Sequence, residues 1–284
     1  MLPDRGPNGR GRALTWDWPS SVEEVSPTLA RDTDVDLVVL QRPEELGGLA
    51  ESWLGRRPGR DVPAVYLEHR CPEGPVNSMV HPLADRQDVQ VVHVTHFNRL
   101  FWDTGRAPTR VIEHGIVDPG YRYRGTLRHA AAVINDPGPR ARVTGTDLLE
   151  GFRREVPVDL FGMRSEPYGG QDLPQDRLHD AMAERRVYLH PNRWTSLGLS
   201  LVEAMHLGMP VVALATTEAA EMIPQRAGVV SNQMPVLAAA LRRLVGDREE
   251  AAAVGREARQ AGLARFGLKR FLADWEGLIR EVTA

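Results

Sequence analysis

The chain has 284 residues, 42% of them hydrophobic and 26% charged, with a formal net charge of −3. That length suits one large α/β domain or two smaller ones, the charge leaves no footprint for nucleic acid, and no apolar run approaches the roughly 20 residues of a membrane span. The one cysteine, Cys71, excludes an intrachain disulfide, and the first residues, Met-Leu-Pro-Asp-Arg-Gly-Pro, lack the apolar core of a secretory signal.

In chain order, residues 1–20 are rich in Gly, Arg and Pro and read as irregular. Residues 34–41 (Asp-Val-Asp-Leu-Val-Val-Leu-Gln) form a continuous apolar run, the mark of a strand covered on both faces. A helix is expected over 44–54 and a second strand over 64–68, leading into His69. A third strand is expected over 90–96 and a fourth over 109–113, ending at His114-Gly115. Each run stops in a polar or glycine-containing loop, the pattern of a parallel sheet with function at its C-terminal edge. Residues 117–124 (Val-Asp-Pro-Gly-Tyr-Arg-Tyr-Arg) read as a linker.

A second strand–helix series follows. Strands are expected over 130–135, 158–162, 187–190 and 210–214. Helices are expected over 146–155 and 197–207, with a Pro/Arg loop at 136–142 and a Gly/Pro-rich loop at 166–176. Pro235 opens a helix in the favoured first position, and further helices are expected over 248–265 and 271–282. The expected fold class is α/β: two Rossmann-like parallel-sheet domains facing a cleft.

Residues 187–214 carry the strongest chemical signal: strand, short polar loop, helix, Gly-Met-Pro, strand. The loop presents Gly198, Leu199 and Ser200 as N–H groups at a helix N-terminus, where unpaired amides and the helix dipole favour an anion. Glu203 stands about one turn further on. Amides for phosphates and a carboxylate for ribose hydroxyls would hold a nucleoside diphosphate. The same residues also suit a plain structural helix. Thr195 and Ser196 are ordinary N-cap types, Gly208 and Pro210 ordinary stops, and Glu203 an ordinary salt-bridge partner.

The chain contains one lysine, Lys269. A P-loop needs a lysine directly after its glycines, so that nucleotide site is excluded, and a Schiff-base mechanism nearly so. Cationic contacts to phosphate fall to arginine, whose fork binds in bidentate fashion. His93 and His96, three apart in the expected third strand, would point to opposite faces. No other cluster has metal-ligand spacing, so no metal site is expected.

Residues 191–210 resemble the signature of retaining glycosyltransferases of the GT-B fold, the glycosyl transferases group 1 type that includes glycogen synthases and bacterial mannosyl- and glucosyltransferases. The family pattern is roughly Pro-Ser-Arg-Tyr-Glu-Pro-Phe-Gly-Leu-x-x-x-Glu-Ala-Met-Ala-x-Gly-x-Pro-Val-Val. Pro191, Arg193, Gly198, Leu199, Glu203, Ala204, Met205, Gly208, Pro210, Val211 and Val212 match it in register. The stretch 215–223, ending Glu221-Met-Ile, resembles the family's next loop. Gly228-Val-Val resembles the segment after it. The resemblance covers 187–284 strongly and 34–186 more weakly.

The chain departs from the family in two places. Thr195 stands where the family carries the first of its two glutamates, while Glu203 keeps the second. The first clear strand comes only at 34–41, so the first domain is expected to be reduced or to lack its first strand.

The resemblance implies transfer of a sugar from a nucleoside diphosphate sugar (UDP or GDP) to a hydroxyl acceptor, with retention and without a metal. The donor is then a co-substrate and no cofactor is implied. Thr195, Ser196, Leu197, Gly198, Leu199 and Ser200 would line the donor, Glu203 would hold the ribose, and Gly162 and Met163 would lie beside the base. Arg140 and Arg142 fall where relatives place cations on the diphosphate, though two solvated loop arginines fit the residues equally. His69 falls where relatives carry a sugar-orienting histidine, and a structural role fits it as well. The domains implied are 1–122 on the acceptor side, 123–268 for the donor, and a terminal helix, 269–284, packing back on the first. The lone cysteine and the lack of a signal suit the cytoplasm, with peripheral membrane association left open. Thr195 and the short first domain also motivate a second class, a catalytically weak nucleotide-sugar-binding partner subunit.

Overall fold

The computed structural model describes Leu2, Pro3 and residues 18–284, so most of the stretch expected to be irregular lies outside the described residues. The chain divides into two compact units. The first runs to Val94 and adds Asn98–Ile112 and Asp274–Ala284; the second comprises Thr95–Phe97 and Glu113–Ala273. The division falls at Ile112/Glu113, ahead of the break at 122 that composition suggested.

The first unit opens with a short parallel pair, β1 (Leu2–Pro3) and β2 (Glu24–Val25), followed by α1 (Pro27–Asp32). Ser26 caps α1 by accepting the Leu29 N–H at 3.3 Å, and Pro27 takes its first position. A four-stranded parallel sheet follows: β3 (Val38–Leu40), β4 (Ala64–Glu68), β5 (Gln90–His93) and β6 (Thr109–Val111), adjacent in chain order. Its core is small: Leu40, Ala64, Tyr66, Leu83, Val89, Val91 and Ala107.

Two sequence expectations fail in this unit. The helix expected over 44–54 is broken, because Gly48 adopts φ 102; a turn over Glu45–Leu49 precedes a short α2 (Ala50–Leu54). The strand expected over 90–96 stops at His93, which pairs with Val111, the last residue of β6. Beyond that the edge strand offers no partner, and the chain turns into α3 (His96–Phe101). His96 is therefore helical, and the opposite-face argument for His93 and His96 does not apply.

The second unit holds a five-stranded parallel sheet of β7 (Leu127–Val133), β8 (Val158–Phe161), β9 (Arg185–His190), β10 (Val211–Leu214) and β11 (Gly228–Ser231). Its order is β11-β10-β9-β7-β8. Strands β7, β9 and β10 are almost wholly apolar at their centres, with Ala130, Ala131, Val187, Leu189, Val211 and Val212 fully buried. The connections include α4 (Ala141–Thr144), α5 (Leu149–Arg153), α6 (Gln175–Glu184), α7 (Leu199–Leu207) and α8 (Ala219–Met222). Three more helices close the chain: α9 (Met234–Gly246), α10 (Arg248–Phe266) and α11 (Leu268–Thr283).

Helix α6 had no counterpart in the sequence reading. Pro174 sets its entry and Asp176 lies in its first turn, while His179, Met182 and Ala183 are its buried face. The end of α7 is a Schellman motif: Gly208 takes φ 87 and the Met209 N–H bonds to the Ala204 carbonyl at 3.0 Å. Helix α10 crosses there with no side chain in the way, since a Cβ on Gly255 would lie 2.0 Å from the Gly208 carbonyl oxygen. Among the described residues no helix is long and apolar enough to cross a membrane.

Candidate functional site

In the second unit the strand order reverses between β7 and β9, whose connections leave the sheet in opposite directions. Such a switch point opens a crevice beyond the C-terminal strand ends, the usual ligand position in doubly wound sheets. The loops after β7, β8 and β9 meet there, and nearly every residue singled out for the donor lies on them.

The loop after β9 runs from Pro191 to Gly198 and delivers α7. Gly198 is the N-cap residue, extended at φ −82 and ψ 107, and as a glycine it has no side chain of its own to cap the helix. Helix α7 begins two residues later than expected, because Leu197 and Gly198 stay outside it. A Cβ on Gly198 would lie 2.5 Å from His190 Cε1, so the backbone rests directly on that imidazole. His190 is 3% exposed, and burial pushes its pKa down to about 4, so the ring is neutral near pH 7. One position further, the Ser200 hydroxyl pairs with the Tyr188 hydroxyl at 2.8 Å. Burial raises the Tyr188 pKa, which keeps that hydroxyl protonated. The first turn of α7 thus stands on two side chains from β9, at the C-terminal end of that strand. Thr195, Ser196 and Leu197 are half-buried on the same loop, and Leu199 is exposed.

Glu203 is held from α6. Its Oε1 accepts the Gln175 side-chain N–H at 2.9 Å, and its Oε2 lies 3.5 Å from His179 Nε2.

The loop after β7 carries Arg140 and Arg142. Arg140 precedes α4 and makes no ion pair among the described residues; Arg142 is highly exposed and reaches Asp147 at 3.5 Å. Asp147 belongs chiefly to Arg193, which grips it at 2.6 and 3.0 Å and also donates to the Arg142 carbonyl at 2.8 Å. The Arg193 hydrogen bonds hold the Asp147 carboxyl below its ordinary pKa. Arg193, a signature residue, therefore fixes the β9 loop to α4 rather than facing the crevice. Gly145 completes that joint at φ 74, where a Cβ would fall 2.0 Å from the Pro191 carbonyl oxygen.

The loop after β8 is tied to the loop after β7. The Met163 N–H donates to Asn135 Oδ1 at 2.9 Å, and the Asp136 N–H donates to the Met163 carbonyl at 3.0 Å. Arg164 pairs with Asp136 and lowers its pKa. Gly162 takes φ 129, and a Cβ there would lie 2.3 Å from the Ile134 carbonyl oxygen, so only glycine fits. Met163 is 45% exposed and offers an apolar surface beside these loops.

His69 belongs to the first unit, just past β4. Its Nε2 lies 2.9 Å from Gln41 Oε1, and burial lowers its pKa, so it is a neutral ring in a hydrogen-bonded place. The structure brings together the second-unit candidates and leaves His69 in a separate body. Among the described residues no group of three or more His, Cys, Asp or Glu side chains could hold a metal ion.

Sequence reasoning missed His190, Gln175 and His179. His190 was legible as the polar last residue of an apolar strand, directly before the signature. Gln175 and His179 were legible only once Pro174 is read as a helix start, which puts them four apart on one face.

Two parallel-sheet α/β units, one with this switch point, define the GT-B fold, and solved structures agree. Anabaena HepE in complex with UDP superposes with a TM-score of 0.67 at 18% identity, over 89% of this chain and 80% of that one. Sucrose-phosphate synthase from Thermosynechococcus elongatus gives 0.67 at 18% identity, over 87% of this chain and 73% of that one. Residues 168–261 match the family model described as Glycosyl transferases group 1, about a third of the chain. A curated relative, sulfoquinovosyl transferase SQD2 of Arabidopsis thaliana, is 34% identical over 133 residues, 45% of this chain. The match spans 26% of that protein.

Proposed function

We propose that this chain moves a sugar from a nucleoside diphosphate sugar to a hydroxyl acceptor, with retention at the anomeric carbon and no metal ion. The observation that carries this reading is the N-terminus of α7, opened by the glycine N-cap Gly198 at the switch point, with Glu203 one turn further on and already oriented. Leading amides of a helix and its dipole suit a diphosphate. A carboxylate one turn along suits vicinal ribose hydroxyls. The UDP in the HepE complex supports a uridine nucleotide as the first donor to try.

In this reading the Gly198, Leu199 and Ser200 amides take the diphosphate, with Thr195, Ser196 and Leu197 walling the sugar side. Gly162 and Met163 lie beside the base. The bond between the anomeric carbon and the phosphate oxygen breaks, the acceptor oxygen bonds to that carbon, and the acceptor proton passes to the departing diphosphate. Negative charge grows on that diphosphate, and Arg140, Arg142 and the helix end stabilise it where it develops. His69 is assigned to the sugar by family resemblance. Thr195 keeps a hydroxyl but no charge where the family has a carboxylate, so the sugar is held by neutral contacts there.

The test is to incubate the purified protein with a panel of UDP- and GDP-sugars, measure released nucleoside diphosphate, and record melting with each free nucleotide. Release from at least one donor, with a raised Tm, is the expected result. A raised Tm without any release would instead make the chain a nucleotide-sugar-binding partner. No shift with any nucleotide overturns both readings.

A further inference from the structure

We propose that Gln175 and His179 are positioning residues that hold the Glu203 carboxylate in the orientation a ribose diol requires; this rests on the ribose role of Glu203 above. Both sit on α6, four residues apart and hence on one face. They address different oxygens of the same carboxylate: Gln175 Nε2 donates to Oε1 at 2.9 Å, and His179 Nε2 stands 3.5 Å from Oε2. A carboxylate oxygen accepts two hydrogen bonds. One acceptor position on each oxygen is thus turned toward α6, and one remains on each for a vicinal diol. A glutamate on an exposed helix face samples several rotamers. This one is restricted before a ligand arrives, which is how a binding group is pre-organised.

His179 separates this arrangement from a plain helix-packing contact. It is 7% exposed, and its Nε2 has no hydrogen-bond partner among the described residues. At 3.5 Å the nitrogen lies just outside good hydrogen-bond range of Glu203. A buried donor or acceptor left unmade is costly, so packing alone gives no reason to keep it aimed there. A small shift of the carboxylate as the diol engages closes the remaining gap. Gln175, in contrast, is exposed, and its link to Glu203 has no part in the core.

The test is calorimetric titration of the full chain with UDP and with 2′,3′-dideoxy-UDP, which keeps the base and diphosphate but lacks the diol. Wild type should prefer UDP by about tenfold or more. Gln175→Ala and His179→Ala should each shrink that preference by roughly threefold or more, leaving affinity for the dideoxy nucleotide unchanged. His179→Gln, which restores a donor, should recover part of it. Should the variants weaken both nucleotides equally, or leave the preference intact, Gln175 and His179 are not positioning residues. Should wild type fail to distinguish the two nucleotides, the ribose role of Glu203 itself falls. Gln175 is exposed, so its alanine variant carries the test even where His179→Ala lowers stability.

Discussion

Gly198→Ala should damage the site through a single methyl group. At φ −82 alanine meets no backbone strain, so the effect isolates packing. The new Cβ would stand 2.5 Å from His190 Cε1, about 1 Å inside ordinary carbon–carbon contact. The imidazole cannot easily yield: it is 3% exposed and stacked on Tyr188 with ring centroids 6.1 Å apart. Overpacking of this kind costs about 1–3 kcal/mol, and rotation of the first α7 amides should weaken UDP binding by roughly tenfold. Urea denaturation and UDP calorimetry on Gly198→Ala, His190→Ala and the double variant measure both effects. Because the methyl and the ring compete for one space, the double variant should be more stable than the sum of the singles by about 1 kcal/mol or more. Additive singles, or a Gly198→Ala variant with wild-type stability and UDP affinity, would refute the reasoning.

Other consequences follow from the same geometry. His93 is fully buried with neither ring nitrogen hydrogen-bonded among the described residues, and burial, aided by His81 and Arg99, pushes its pKa down to about 4. The unfolded chain protonates this ring near pH 6.5 while the folded chain keeps it neutral, so stability is full above that pH and falls as the pH drops toward 4. The loss approaches about 3 kcal/mol, and His93→Leu should flatten that part of the stability–pH curve; an unchanged curve would count against it. Arg265 links Glu113 and the almost fully buried Glu218. Arg265→Ala leaves that carboxylate without its cation and should cost about 3 kcal/mol in chemical denaturation; a change under about 0.5 kcal/mol would mean the pair is not structural. Arg140→Ala combined with Arg142→Ala should lower donor turnover more than UDP affinity, because their proposed part is to offset charge on the departing group. Equal losses in the two would make them simple ground-state contacts.

The parts of the fold legible in the sequence are those whose chemistry is local. Residues 64–68 form β4 as expected, since a short apolar run closed by polar residues permits little else. The β9–α7–β10 segment was legible for the same reason, with Gly208 and Pro210 marking the helix end and next strand. The failures come where neighbours decide. Strand β5 ends at His93 because β6 ends opposite it, which the run Val-Val-His-Val-Thr-His does not reveal. Helix α6 is mostly polar and buries only His179, Met182 and Ala183, so it lacks the apolar residues that announce an element, and the residues that hold Glu203 were hidden with it. Arg193 belongs to the signature yet is spent on Asp147, a partner 46 residues away that spacing alone does not reveal.

The most direct test of the central claim is calorimetric titration of UDP, UMP and uridine into wild type and Glu203→Ala. If α7 holds the diphosphate and Glu203 the ribose, UDP should bind at least about a hundredfold more tightly than uridine, and Glu203→Ala should lose about tenfold or more for UDP without unfolding. Equal affinity for UDP and uridine, or a Glu203→Ala variant that binds UDP as wild type does, would contradict the account.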